Sequence, residues 1–459
     1  MALIKPRLGN LLQNASFESG LAFWQTDNAG STNGSPAEGS QAAGLWAGVG
    51  SLYQVVALPA FQRNPLFLSF IAYAQEATGA GSLTAEVLWL DTDFNVLGTG
   101  LRVFIPASAI SNVRITYFDI TDTPPLGAVW AKLLFSKGQS DLPVILDLIN
   151  LASARTPNLV QNPSFEYGLE NWAAENSAPL FALPYAGAAV ASGDAQSATG
   201  SISQTIPLRF CAAGSVYLLS FAAQAAGTPV EVIVRWLNIL GIPIGDPAID
   251  VTVPTATLSQ QGSYLNIVQL TTPAPQGTAS AVIELRYDGI VPLVVKLDQV
   301  VFVQLDSANL LVNPGFATQL NGWTANGATA DNTNAYIGVY SASLSSDGAF
   351  IYQTVNLARM AFMGFFLFNF ALRFSGGEAT NGQVLAQVHW LDRIGREVGL
   401  GASLNIAQTV QNQAQWQVYT AFTERPPLNA IFARIQFTRS QGGDTAVINL
   451  DSVTFAKFL

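Results

Sequence analysis

The residue types that carry acid–base, nucleophilic or metal chemistry are scarce in this chain. Among its 459 residues there is one histidine, His389, and one cysteine, Cys211. A histidine-based triad or a Cys/His zinc centre therefore cannot recur along the chain, and no internal disulfide can form. A glycosidase centre needs two carboxylates facing each other across a cleft. The strand-borne candidate, Glu86, is replaced by Ile233 and Gln387 in two related segments, and Glu170 and Glu424 have no consistent partner. His389 aligns with Leu88 and Arg235, as an ordinary strand position would. Nor does a glycine-rich phosphate loop lie between a strand and a helix. These residues read as those of a non-enzymatic protein.

What does recur is a sentence. Residues 11–24 read LLQNASFESGLAFW, residues 159–172 read LVQNPSFEYGLENW, and residues 311–323 read LVNPGFATQLNGW. Phe17, Phe165 and Phe316 are spaced by 148 and 151 residues, as are Trp24, Trp172 and Trp323. Repeats of 20–50 residues build solenoids; a period near 150 means tandem whole domains, each able to bury its own core. After each opening come a strand with Gln (SLYQVVAL, SISQTIPL, FIYQTVNL) and an apolar strand (LFLSFIAYA, YLLSFAAQA, FLFNFALRF). A strand with Trp follows (LTAEVLWLD, VEVIVRWLN, VLAQVHWLD), and each copy closes on VILDLINL, VVKLDQVVF or VINLDSVTF.

Period-two alternation and β-branched or aromatic residues dominate these segments, with no long amphipathic helix. Val87 and Trp89 face one way, Glu86 and Leu88 the other. The reading is all-β: an arm at 1–9 and three antiparallel jelly-roll sandwiches at 10–153, 154–306 and 307–459. Linkers of about six residues, one holding Pro157, join them into a stiff rod. Phe17, Phe165, Phe316 and the six repeated tryptophans read as core anchors, Trp130 reads as core, and Asn14, Asn162 and Asn313 as turn formers.

Charged residues make up 11% of the chain and apolar residues 49%, against about 25% charged in an ordinary soluble domain. No stretch reaches the ~18 apolar residues of a membrane helix, so no membrane insertion is expected. A net charge of −10 argues against nucleic acid and anionic membranes. The N-terminus lacks the apolar core of a secretory signal.

The paired opening and closing motifs resemble those of jelly-roll carbohydrate-binding modules and their galactose-binding-like relatives, some of which occur in Gram-positive spore-surface proteins. The resemblance spans the chain three times. It implies a structural calcium pinning the first strand to the last, through Glu18 with Asp147 and Glu166 with Asp298. In the third copy Asp451 remains but Ala317 replaces the glutamate, which puts that site in doubt. It also implies sugar stacking on exposed aromatic rings, for which Trp46, Tyr53 and Tyr352 are the candidates.

Two readings of function follow. In the first, the protein is a structural surface component, extracellular or on a spore and made without a signal peptide, that assembles with itself into a fibre or layer. The arm residues Leu3, Ile4, Lys5, Pro6 and Arg7 would dock head-to-tail on the third module of the next copy. In the alternative, the modules bind polysaccharide or glycoprotein, as an adhesin would.

Overall fold

The computed structural model describes residues 9–59, 63–182, 184–208, 213–259, 263–357, 364–376, 382–410, 412–440 and 446–459. The arm residues Leu3 to Arg7, and Cys211, lie outside them.

The first repeat supplies β1 (Gln25–Asp27), β2 (Ala29–Thr32), β3 (Ala42–Leu45), β4 (Gly50–Ala57) and β5 (Leu66–Ala74). It continues with β6 (Leu83–Leu90), β7 (Val96–Ile105), β8 (Ile115–Ile120), β9 (Trp130–Lys137) and β10 (Val144–Ser153). The second supplies β11 (Ala173–Glu175), β12 (Ser177–Leu180), β13 (Val190–Gly193), β14 (Thr199–Pro207) and β15 (Val216–Ala226). Then come β16 (Val230–Leu237), β17 (Ile249–Val253), β18 (Leu265–Leu270), β19 (Ser280–Asp288) and β20 (Val294–Leu305). The third supplies β21 (Thr324–Asn326), β22 (Ala328–Asp331), β23 (Ser341–Leu344), β24 (Phe350–Asn356) and β25 (Phe366–Ser375). It ends with β26 (Gln383–Leu391), β27 (Glu397–Ala407), β28 (Trp416–Phe422), β29 (Phe432–Arg439) and β30 (Val447–Lys457).

Each repeat folds these ten strands into two five-stranded antiparallel sheets. The outer sheet has the order β1-β4-β9-β6-β7 and the inner sheet β2-β3-β10-β5-β8, and both orders recur in the second and third repeats. This is the jelly-roll sandwich that the repeated start and end motifs point to.

The opening motif proves to be a clamp, identical in all three copies. Asn14 sits at φ +49°, and its Nδ2 donates to the carbonyls of Gly20 (2.8 Å) and Ala22 (3.2 Å). The Trp24 indole N–H returns to the Asn14 carbonyl at 3.1 Å, a distance that Trp172 and Trp323 repeat on Asn162 and Asn313. Phe17, Phe165 and Phe316 are fully buried at φ +59°, +56° and +52°. A bulky residue is rarely held in that region, and here the ring contact with the tryptophan, at 5.3–5.4 Å, holds it. The recurring Gln fastens this opening loop to the outer sheet. In the first repeat the side-chain amide of Gln54 exchanges two hydrogen bonds with the backbone of Gln13, at 2.8 and 3.0 Å. Gln204 does the same with Gln161, and Gln353 with Val312.

Two expectations need correction. Trp130 is not core: Ala131, Leu133 and Phe135 are the buried residues of β9, which turns Trp130 outward to stack on Phe94 at 5.3 Å. Strand parity decides this, and on it Trp130 pairs with Ala57 and Leu90 across the sheet.

The second correction is the rod. β5 and β10 are buried at every position, although a sandwich strand needs burial on one face only. The other face of each inner sheet packs against the neighbouring repeats, and β8, β18 and β28 touch one another pairwise. The three sandwiches therefore close into a ring around a pseudo-threefold axis. Its three junctions are variations on one contact. The amide of Gly187 donates to the Phe104 carbonyl of the first repeat (2.6 Å) and that of Gly338 to Thr252 of the second (3.0 Å). Gly39 donates to Asn405 of the third repeat (2.8 Å), which closes the circle. A head-to-tail contact that closes makes a ring; one that does not makes a filament. Here the contact closes within one chain.

Candidate functional site

The carboxylates assigned to calcium lie where each opening loop meets its closing strand, and each binds backbone amides. Each closing strand carries a β-bulge directly after its aspartate, with Leu148, Gln299 and Ser452 at φ +46°, +48° and +49°. The bulge aims the carboxylate into the sandwich edge. Oδ2 of Asp147 accepts the amides of Ala37 (2.8 Å) and Glu38 (3.0 Å), and Oδ1 that of Leu148 (2.7 Å). Asp298 takes Tyr185, Ala186 and Gln299; Asp451 takes Tyr336, Ile337 and Ser452. All three aspartates are fully buried. Burial drives their carboxyls upward, Asp451 to about 8, while the amide hydrogen bonds pull the other way.

Glu18 and Glu166 are engaged alike. Glu18 accepts the amides of Ser40 (2.9 and 3.0 Å) and Gln41 (2.9 Å) and the Ser40 hydroxyl (2.8 Å); Glu166 accepts those of Ala188 (2.8 Å) and Ala189 (3.1 Å). Both oxygens of each buried aspartate thus face N–H donors, the wrong polarity for a cation. Among the described residues no group of three or more His, Cys, Asp or Glu is placed to hold a metal. The residues present do not fit calcium.

What these carboxylates do hold is the glycine loop that docks on a neighbouring repeat. Asp147 fixes residues 37–38, one step before the ring-closing Gly39, and Asp298 and Asp451 fix the residues before Gly187 and Gly338. At the closing junction Glu38, 7% exposed, also accepts the Asn405 amide at 3.0 Å. Burial raises its carboxyl from 4.5 to about 7. The folded ring therefore keeps a proton that the unfolded chain releases, and stability falls as pH rises from about 4.5 to about 7. In urea unfolding at pH 5 and pH 8, Glu38→Gln is expected to remove its share of that fall, up to about 3 kcal/mol. An unchanged pH dependence in the variant would exclude this role.

The aromatic candidates separate. Tyr53 and Tyr352 occupy equivalent positions on the solvent-facing side of the outer sheet, in register with Leu134 and Gln436 of the adjacent strand. A cation overlies each ring: Lys132 Nζ lies 3.9 Å from the Tyr53 centroid, and Arg434 Cζ 5.1 Å from that of Tyr352. Around Tyr352 the same face presents Phe350 at 6.1 Å, Gln436, Thr438, Gln387 and Ser403. Period-two reading could have found Lys132 and Arg434, both outward on their strands. The second repeat has Ser203 in place of the tyrosine, and its face is charged, with Arg235–Glu284 (3.0 Å) and Arg286–Glu231 ion pairs.

Trp46 belongs to neither face. Its indole lies flat over Gly30 and Gly44 of the inner sheet, where an added Cβ would come within 2.8 and 2.6 Å of the ring. The other repeats have Ala178 and Ser192, or Thr329 and Ser343, at those positions, so only the first can seat this ring. His389 makes an outward strand-to-strand contact with Glu397 at 3.1 Å.

The strand order and the pairing of sheets define a tandem jelly-roll protein. Solved structures similar to it include the tandem CBM22-1–CBM22-2 of Paenibacillus barcinonensis Xyn10C, at 14% identity and a TM-score of 0.28, covering 65% of this chain and 97% of that one. TmCBM61, solved with β-1,4-galactotriose, matches at 18% identity and a TM-score of 0.25, covering 33% and 99%. The enzymatically active domain of bacteriophage CBA120 tailspike protein 4 matches at 18% and 0.28, covering 32% of this chain and 21% of that one. No protein-family model matches the sequence, and no curated protein matches it. Among the described residues no helix is long and apolar enough to cross a membrane.

Proposed function

We propose that this is a non-catalytic glycan-binding protein whose first and third sandwiches bind saccharide on their outer sheets. One observation carries the reading. The inner sheets are consumed by ring closure, while the outer sheets of these two repeats turn the same aromatic–cation pair, Tyr53–Lys132 and Tyr352–Arg434, to solvent. An aromatic platform flanked by amides and hydroxyls is the arrangement that stacks a sugar ring and holds its hydroxyls. The cation restricts one side of each ring and adds a donor that suits oxygen-rich ligands. In the third repeat Gln387, Gln436, Thr438 and Ser403 supply the neutral partners. The second repeat, with Ser203 and its ion-pair lattice, acts as the structural member of the ring.

Titration of the whole protein against galactan, xylan and uronate-rich polysaccharides tests this. Tyr352→Ala is expected to weaken binding at the third repeat by about tenfold or more, equivalent to at least 1.4 kcal/mol. Tyr53→Ala with Tyr352→Ala would abolish it, and Ser203→Ala would change nothing. No binding by the parent to any of these polymers would overturn the reading. The fibre-forming reading turns on the arm residues Leu3 to Arg7, which lie outside the described residues.

A further inference from the structure

A cleft of ≈ 400 Å³ lies at the junction of the first and second repeats, within the size range of small-ligand sites. One wall is the connection between β7 and β8, with Ser108, Ser111 and Asn112; the other is the inner sheet of the second repeat, with Gln224 and Lys296. Strand parity sets the charge in it. Val295 and Leu297 are buried in the sandwich core, so Lys296 between them turns to the other face of β20, the one that meets the first repeat. Gln224 of β15 lies directly opposite Lys296 on one side, and Ser192 of β13 on the other. Directly opposed residues share a face.

No other repeat leaves a charge at this place. The first has Ile145, paired with Tyr73 and fully buried. The third has Asn449, paired with Arg373, and both are answered within their own repeat. Asn449 Nδ2 donates to Asp331 at 2.8 Å, and Arg373 Nη1 to Asn334 at 2.8 Å. In the second repeat Leu180 occupies the place of Asp331, at the end of the short strand beside β13. Among the described residues no carboxylate or hydrogen-bond acceptor meets the Lys296 ammonium. Partial burial pushes it below the ordinary lysine value. The cleft thus sets one cation, without an acid of its own, against neutral amides and hydroxyls.

We propose that this cleft binds a sugar acid, with Lys296 on its carboxylate and Asn112, Ser108 and Ser111 facing its ring hydroxyls. A lone ammonium matches the single charge of a carboxylate, whereas a phosphate calls for more donors. Because the walls come from two repeats, the ligand would also bridge their junction. The site is separate from the outer-sheet platforms.

Calorimetric titration of the whole protein with D-glucuronate, D-glucose and acetate tests this. Glucuronate is expected to bind, with glucose and acetate at least about tenfold weaker, since each lacks part of the recognised chemistry. Lys296→Met keeps the stem without the charge and is expected to weaken glucuronate about tenfold or more. Should that variant fail to fold, Ser108→Trp, at an exposed position on the opposite wall, is expected to block the cleft. The double variant Tyr53→Ala with Tyr352→Ala is expected to bind glucuronate as the parent does, so the two sites can fail separately. No glucuronate binding by the parent, equal binding of acetate, binding unchanged in either cleft variant, or its loss in the tyrosine double variant would overturn the proposal.

Discussion

Asp298→Ala is expected to unfold the second repeat at ordinary temperature or bring it close to unfolding. The carboxylate is buried and satisfies three backbone amides, those of Tyr185, Ala186 and Gln299. Alanine would leave all three donors buried without acceptors, at roughly 1–3 kcal/mol each. That sum approaches the whole stability of a domain. Asp298→Asn keeps one accepting oxygen and is expected to fall between parent and alanine variant. The damage would spread, because residues 185–187 are the loop that docks on the first repeat through Gly187 and through Tyr185, whose hydroxyl donates to the Thr116 carbonyl at 2.6 Å. Differential scanning calorimetry of the parent with calcium and then with EDTA, beside the alanine variants of Asp147, Asp298 and Asp451, separates amide anchoring from metal binding. Amide anchoring predicts identical melting of the parent in both buffers. A fall with EDTA that calcium restores would reinstate the metal.

The second large effect concerns the ends of the chain. A permutant that starts at Pro157, runs to Leu459, crosses one added residue to Gly9 and ends at Arg155 is expected to fold, with a melting temperature within roughly 5 °C of the parent. Asp147 and Asp298 each lie eleven residues before the next opening asparagine, Asn158 or Asn309. After Leu459 a single residue restores that spacing from Asp451 to Asn10. The structure brings the two ends to one place: the Phe458 amide donates to the Phe365 carbonyl at 3.0 Å, and a Cβ on Gly9 would lie 3.8 Å from the Phe365 side chain. In a rod these ends would be separated by whole sandwiches, beyond one residue's reach of about 7 Å between flanking Cα atoms. Insolubility or gross destabilisation of the permutant, measured by circular dichroism and size-exclusion chromatography, would count against ring closure.

The sandwich fold was legible in the sequence because it rests on local and repeated signals. Period-two alternation put Val87, Trp89 and their counterparts in the core, where they are buried. The Asn-x-x-Phe…Trp sentence recurs because its clamp is made within about ten residues of itself, so each copy carries its own reason. Tyr53 and Tyr352 follow the same alternation, which turns both away from the core. A trace of the ring was present too, in the runs LFLSFIAYA and VILDLINL, which are too apolar for a strand with one wet face.

Tertiary structure alone decided what covers those strands. Asn150 donates to Thr420 across 270 residues of sequence, and Glu38 meets Asn405 across 367. Nothing in the spacing of either pair announces it, because a contact between folded units depends on how whole surfaces fit and not on the local chain. The carboxylates of Asp147, Asp298 and Asp451 show the same limit. Residue type alone suits a cation or a set of amides equally, and only the backbone bulge that aims each one at loop N–H groups distinguishes the two. Arg114 is one arginine among many polar residues in the sequence; only the fold buries it and sets its Nη2 on the carbonyls of Ser35 and Pro36.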